Sequence, residues 1–526
     1  MNLNWKILVP AGFAVYFLFG MAQLAEAADV AANYKQHCAA CHGAERLGGI
    51  GPALLPENLA RLRKPEAEKI IREGRPATQM LGFGDKLSPD EIKALVDFAY
   101  TPIKPMPVWG EAEIRASRIV NFAPGSLPDK LQFAADPLNL FVVVESGDHH
   151  VSILDGDKLE PIHRFQSRYA LHGGPKFTPD GRYVFFASRD GWITKYDLWN
   201  LKVVAEVRAG INTRNVAVSG DGKWVAVANY LPHSLVILDA DLNLKKILPV
   251  ADKDGKVSSR VSAVYDAAPR QSFVAALKDV KEVWEVSYNP KAPEIPAGMI
   301  HDFKYREGKF IPGFLNPQRS QLEDYLDDFY FTQDYHEVMG ASRNDAKSAV
   351  SGQVVNLDVR KKIADLELPG MPHLGSGISW QWQGKTVMAT PNLNEGLISI
   401  IDMKTWKTIK QIKTRGPGFF MRSHESSRYA WTDSMMSKEF KDTMQIIDKE
   451  KLEIVAELKP EPGKTFAHVE FTKDGKYVLA SLWEMDGALI IYDAATLREV
   501  KRLPMKKPVG KYNVWNKISK SEGTSH

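Results

Sequence analysis

Cysteine is nearly absent from this chain, with two in 526 residues, Cys38 and Cys41. That excludes a disulfide-framed fold and denies a four-thiol metal site its ligands. No basic run interleaved with aromatics occurs, and the formal net charge is only +4, so nucleic acid is excluded as a partner. Beyond the first 27 residues no apolar stretch is long enough to span a bilayer. What is present is globular in composition, 44% hydrophobic and 25% charged. The length calls for two or three domains.

The two cysteines carry the first signal. Cys38-Ala39-Ala40-Cys41-His42 has the spacing of a c-type haem attachment site. Each thiol adds across one porphyrin vinyl, and the next residue's imidazole lies beneath the iron. A redox dithiol and half of a zinc site are the competing readings; zinc needs two further ligands nearby. One covalent haem c is expected, held by Cys38 and Cys41 with His42 as metal ligand.

Residues 1–27 read as a signal peptide: Lys6 is a short positive start, Ile7 to Leu18 an apolar segment, and Ala25-Glu26-Ala27 a cleavage site before Ala28. An uncleaved membrane anchor is the rival, because Val15 to Met21 extends the apolar run. Both export the body of the chain. In a bacterium, where c-type haem is attached outside the cytoplasm, the expected compartment is the periplasm.

Residues 28–101 are predicted to be an all-α haem domain. Tyr34 to Cys41 reads as a helix entering the haem motif, Gly51-Pro52 as a loop against the haem edge, and Pro65 to Glu73 as a second helix. Ser88-Pro89-Asp90-Glu91 is a capping box opening a last helix, Ile92 to Tyr100. The arrangement resembles a small class I cytochrome c. That resemblance implies Met80 as sixth iron ligand, with His37 competing and simple packing against the haem as the alternative. Pro102-Ile103-Lys104-Pro105-Met106-Pro107 begins a stiff linker assigned to 102–117.

From 118 to 516 the chain repeats. Strand-like runs end in an aspartate at 155, 197, 239, 358, 402, 448 and 493, with steps of 42, 42, 119, 44, 46 and 45 residues. The long step holds one more unit, around Val283-Trp284-Glu285-Val286, and an insertion near 295–330. Turns such as Asp180-Gly181, Asp221-Gly222 and Asp474-Gly475 separate strands inside the units. Four short strands at this period are propeller blades. The expectation is an all-β eight-bladed propeller, with seven blades as the alternative and 517–526 as a tail.

Several stretches in order resemble the family of cytochrome cd1 nitrite reductase and its relatives that handle haem d1. They are Arg168-Tyr-Ala-Leu-His172, Ser188-Arg189-Asp190-Gly191, Thr213-Arg214-Asn215-Val216, Pro372-His373-x-Gly375-x-Gly377 and Gly510-Lys-Tyr512-Asn-Val-Trp-Asn516. The resemblance implies a haem d1-binding propeller with His172 as proximal iron ligand. It places His373 on the distal face, as a ligand or a gate. Haem d1 is a polycarboxylate, and arginine offers a two-pronged donor to carboxylates, so Arg168, Arg189, Arg214 and Arg343 are the cofactor-binding candidates. Each alone is as readily a surface ion pair.

Nitrite-reducing members place a second distal histidine in a leucine-histidine-aspartate stretch. Here Tyr325-Leu-Asp327-Asp328 has aspartate at that point, with His336 close by in sequence. The resemblance therefore implies the branch that completes haem d1 by desaturating a propionate of dihydro-haem d1 to an acrylate. Electrons would leave through haem c to an external acceptor such as a small cytochrome. Two alternatives stand, a nitrite reductase and a non-catalytic haem d1 carrier. His468, in Ala467-His468-Val469-Glu470, and Tyr512 are the candidates for proton removal; packing between blades is the bland reading of each. His233 and His424 are left unassigned. The expected partners are the tetrapyrrole substrate, the electron acceptor and, transiently, the cd1 nitrite reductase that receives the product.

Overall fold

The computed structural model describes residues 30–519 apart from 50, 61, 76–79, 106, 303–306 and 342–351. The chain divides after Pro107 into two compact units. The leader assigned to 1–27 and the candidate Arg343 lie outside the described residues.

In the first unit residues 30–37 are helical and lead through Cys38 into the short helix Ala39–His42. Pro56–Leu59, Lys64–Glu73 and Pro89–Ala99 follow. Ser88 caps the last helix as its sequence requires: its hydroxyl accepts the Glu91 N–H at 3.3 Å, and the Glu91 carboxylate accepts the Ser88 N–H at 2.7 Å. Ile92, Leu95, Tyr34 and Leu87 form the core beneath it. Arg46 closes that helix's other end. Its buried guanidinium donates to the carbonyls of Phe98, of Ala99 at 3.2 Å and of Thr101 at 2.9 Å, at and just beyond the helix terminus.

The second unit is an eight-bladed propeller of antiparallel four-stranded sheets. Blade 1 is closed by both ends of the unit: Pro508–Asn513 is its innermost strand, beside Leu140–Glu145, His150–Asp155 and Glu160–Gln166. The inner strands of the remaining blades begin in turn at Lys176, Asn212, Val261, Asp328, Ile378, Met421 and Phe466. The second strand of blade 1, Leu140–Glu145, is buried at every residue because a blade packs on each face. Outer strands such as Glu453–Leu458 alternate between exposed and half-buried.

The aspartate period has a local cause. Asp155, Asp197, Asp402, Asp448 and Asp493 each accept backbone N–H groups two and three residues on, at 2.8–3.2 Å, pinning the turn from third to fourth strand. Four residues after each of these, Leu159, Leu201, Trp406, Leu452 and Leu497 have positive φ. In blade 5 the same device is built on Asn356, which accepts from Asp358 and Val359 at 3.0 Å and is followed by Arg360 at φ +56°. Asp358 is thus not the turn residue that the spacing suggested; an asparagine oxygen does the work one half-turn earlier.

Three boundaries differ from expectation. The insertion is the hairpin Ile295–Asp302 with Glu307–Ile311, and Pro317–Gln321 beyond it is the outer strand of blade 4. Residues 108–117, read as linker, contribute the helix Glu111–Ser117, whose Ile114 is buried against Val207 and Leu242; Ile119–Val120 adds a fifth strand to blade 2. The supposed tail begins inside the helix Val514–Ser519.

Alternation of strand direction gathers two kinds of connection at one end of the channel: the passage from one blade to the next, and the loop between second and third strands. This end is called upper below. The site is assembled there.

Candidate active site

In the first unit the two thiols carry no disulfide. Burial, and then Cys41 beside it, pushes the Cys38 thiol up to about 11, the reverse of what a redox dithiol needs. His42 is buried, and its Nδ1 lies 2.8 Å from the Pro52 carbonyl. A carbonyl only accepts, so Nδ1 carries the hydrogen and Nε2 keeps its lone pair, as an axial ligand must. A Cβ on Gly51 would stand 2.8 Å from the imidazole, so only glycine lets the loop close on that ring. These residues fit a covalently held haem c. Met80 is half-buried, its carbonyl accepting the Arg75 N–H at 3.0 Å; residues 76–79 before it lie outside the described residues. His37 packs on Phe83 with 5.6 Å between ring centroids.

In the propeller, His172 lies in the passage from blade 1 to blade 2. Its N–H donates to the Ala187 carbonyl at 2.9 Å, and Nδ1 lies 2.7 Å from the Arg214 carbonyl. Again Nε2 is the atom with the lone pair. Arg189 and Arg214 converge on it, at 3.0 and 2.7 Å. Gly173 makes the approach possible: its φ is +81°, and a Cβ there would meet Asn215 Cβ at 2.5 Å.

His373 lies in the passage from blade 5 to blade 6 and repeats the device. Nδ1 is 2.9 Å from the Phe419 carbonyl, and Nε2 is 3.6 Å from Asp328, whose other oxygen accepts from the Tyr265 hydroxyl at 2.9 Å. From His373 a line of rings runs across the upper end. Phe419, Phe420, His468 and Tyr512 follow at centroid spacings of 4.2, 4.6, 4.7 and 5.5 Å. It returns to the His172 loop, because a Cβ on Gly174 would sit 3.3 Å from the Tyr512 hydroxyl.

His468 occupies a bulge of its strand, between Ala467 and Val469, at φ +51°. It is 2% exposed, and burial, then the nearby Lys511 and Arg422 charges, hold its imidazole far below the ordinary range. The ring is neutral, the form that takes a proton. Burial pushes the Tyr512 phenol up to about 12, so it stays protonated near neutral pH.

The structure thus brings together His172, Arg189, Arg214, His373, His468 and Tyr512. Arg168 does not join them as a free donor. Its fork is closed on the protein's own Glu206, Nε at 2.9 Å and Nη2 at 2.6 Å, and its plane stacks on Trp192 at 3.9 Å. No signal within the Arg168 segment pointed to a partner 38 residues away. His336 is exposed on a lower turn of blade 5 and pairs with Asp358, so it is not a distal-pocket residue. Asp327 forms an ion pair with Lys278 at 2.6 Å; Asp328 is the carboxylate that reaches His373. His233 bonds Ser258 at 2.8 Å, and His424 bonds Ser426 at 2.7 Å. Sequence reasoning missed Asp328, Phe419, Phe420, Arg422 and Lys511.

A histidine presenting Nε2 between two guanidiniums, at the mouth of an eight-bladed propeller that follows a c-type cytochrome unit, defines a haem-binding propeller cytochrome. The chain belongs to the Cytochrome D1 heme domain family, whose profile matches residues 135–312 and 300–517. Residues 25–98 match the family of cytochrome C oxidase, cbb3-type, subunit III. The dihydro-heme d1 dehydrogenase of Pseudomonas aeruginosa is 55% identical over 516 residues, covering 98% of this chain and 99% of that protein. A solved structure of dihydro-heme d1 dehydrogenase NirN in complex with DHE superimposes with a TM-score of 0.86 at 56% identity, over 93% of this chain and all of that one. The nitrite reductase of Stutzerimonas stutzeri is 25% identical over 541 residues, covering 92% of each chain.

Proposed function

We propose that this chain is a dihydro-haem d1 dehydrogenase, which desaturates one propionate of its tetrapyrrole substrate to an acrylate in the last step of haem d1 formation. The observation that carries this reading is the pairing of a neutral imidazole, His468, with a protonated phenol, Tyr512, beside the loop that presents His172 Nε2. The near full-length relative of 55% identity carries the same activity in its name.

The reaction converts –CH2–CH2–COO⁻ to –CH=CH–COO⁻ and releases two protons and two electrons. His172 ligates the substrate iron from one face and His373 meets the other. Arg189 and Arg214, which lie at the His172 ring, hold carboxylates at the tetrapyrrole edge. Tyr512 is half-buried beside Gly174 of the His172 loop whereas His468 is covered, so the phenol meets the substrate side chain first. A phenol that stays protonated can take a proton from carbon only as it gives its own away. The imidazole behind it is the neutral group that receives one, and the burial and cations that lower its basicity make it pass that proton on rather than keep it. Haem c, when bound, supplies a one-electron sink beside an external acceptor of the small-cytochrome kind. The compartment proposed is the periplasm, and delivery of the product calls for a transient complex with a cd1 nitrite reductase.

No observation favours nitrite reduction: aspartate stands at 327 and His336 is remote from His373. The test is to load the haem c-containing protein with dihydro-haem d1 without oxygen, add an acceptor and weigh the extracted tetrapyrrole. Loss of two hydrogens is expected. An unchanged mass refutes the dehydrogenase; nitric oxide from nitrite would then point to the reductase, and silence in both assays to a carrier.

A further inference from the structure

The loop that presents His172 has a backbone that needs support. Ala170, Gly173 and Gly174 all have positive φ, at +42°, +81° and +69°. For alanine that conformation is strained, and strained backbone persists only where its surroundings over-determine it. On the blade 2 side the main chain supplies the support. The Arg189 N–H donates to the Ala170 carbonyl at 3.1 Å, the His172 N–H donates to the Ala187 carbonyl at 2.9 Å, and Leu171 bridges to Ser188. At the entry, after the outer strand Glu160–Gln166 of blade 1, the Ser167 N–H reaches the His149 carbonyl at 2.8 Å. The next residue, Arg168, fastens the entry by its side chain.

That side chain is held on three sides. Its fork meets the Glu206 carboxylate in two parallel bonds, Nε to Oε1 at 2.9 Å and Nη2 to Oε2 at 2.6 Å, a match that a guanidinium makes and an ammonium does not. Its central carbon stands 3.9 Å from the Trp192 ring centroid. Glu206 is itself fixed, because its Oε1 also accepts the Thr194 hydroxyl at 2.8 Å and Thr194 faces it across the strand pair. The carboxylate is 14% exposed, so this is not a solvated rim pair. Trp192 directly follows the turn Ser188–Gly191 that carries Arg189, and its N–H donates to the Ser188 hydroxyl at 3.2 Å. Arg168 therefore grips the part of blade 2 from which Arg189 springs, and the clamp holds the His172 loop and Arg189 in one frame.

We propose that Arg168, clamped on Glu206, is a positioning residue that fixes the loop presenting His172 Nε2 to the substrate iron. The inference deepens the dehydrogenase reading and rests on it for that ligation. Arg168 stands four residues before His172, and the strained Ala170 between them is where a loosened entry would turn the imidazole away. The effect passes through the iron–imidazole bond and needs no contact between Arg168 and the tetrapyrrole.

The test is an anoxic optical titration with dihydro-haem d1 of the haem c-containing parent, Arg168→Gln, His172→Ala and the double variant. Arg168→Gln is expected to weaken binding by roughly 10-fold and to shift the axial-ligation bands, the size of losing a group that orients a metal ligand. In the His172→Ala background the same substitution should change neither. Equal losses in both backgrounds would show Arg168 touching the substrate itself and overturn the proposal; so would a folded Arg168→Gln protein with the parent's affinity and bands. Glu206→Gln decides by its sign, even where His172→Ala holds too little substrate to titrate. Weaker binding is expected, because the loop loses its anchor; tighter binding would mean that a released guanidinium serves the substrate, and would overturn the clamp. An unchanged tetrapyrrole mass after an acceptor is added to the parent sinks the dehydrogenase reading alone, since affinities and bands are read before turnover.

Discussion

Gly174→Ala tests the link between the iron-binding loop and the proton-transfer pair. Gly174 has φ +69°, and an added Cβ would meet Tyr512 at 3.2 Å from Cε1, 3.3 Å from the hydroxyl and 3.4 Å from Cζ. Two effects follow. The left-handed backbone costs an alanine about 1–2 kcal/mol, which in a unit of this size lowers the melting temperature by on the order of 2 °C. The phenol must also give way by a few tenths of an ångström. Misplacement by 1 Å costs roughly 100-fold in rate, so a shift of this size should slow the chemistry by on the order of 10-fold. His172 keeps its backbone bond to Ala187 and its Nδ1 bond to Arg214, so substrate binding should not change. The assay is a single anoxic turnover, with the tetrapyrrole mass followed in time and binding measured separately. A folded Gly174→Ala protein that turns over at the parent rate would show that the Tyr512 hydroxyl is not at the reacting carbons.

Tyr512→Phe should slow the single turnover by roughly 100- to 1000-fold with binding intact, and His468→Ala should slow it less, because the imidazole is the more deeply covered of the two; equal losses or the reverse order would make the imidazole the group that touches carbon. Arg46→Ala removes the donor to three helix-end carbonyls and should destabilise the haem c unit by roughly 2–4 kcal/mol, read as a lowered melting transition in the haem c absorbance with the propeller transition unmoved. The Asp358 carboxylate raises the His336 imidazole above its ordinary value; the stabilisation from that pair is present below the unfolded-state value and lost as pH rises through the higher folded one. An NMR titration should show His336 with a raised midpoint that Asp358→Asn abolishes, and an ordinary midpoint in the parent would refute the pairing.

The blades were legible because one turn, repeated, needs a carbonyl-bearing side chain at a fixed place. The pattern failed at Asn356, where a different residue supplies the same oxygen, and in blade 4, where Ser287 ends the third strand and its hydroxyl accepts the Asn289 N–H at 3.2 Å. His172, His373 and Tyr512 were picked out by motif order and His468 as a strand histidine of a late blade; the structure adds what surrounds each, a carbonyl at Nδ1 or burial. Arg168 was not, since its salt bridge joins distant strands. His336 was misleading because adjacency in sequence to Asp328 spans opposite ends of a strand. Lys511 left a trace that pattern reading passed over: it stands in a strand of otherwise uncharged residues.

The strand that closes the ring carries Tyr512. Pro508–Asn513 joins Leu140–Glu145 only after every other blade has been made, with Val142 opposite Tyr512. Circular closure and chemical competence are therefore a single event during maturation. A chain interrupted before its final strand has an open sheet edge and no phenol, and it cannot hold a reactive tetrapyrrole halfway to product.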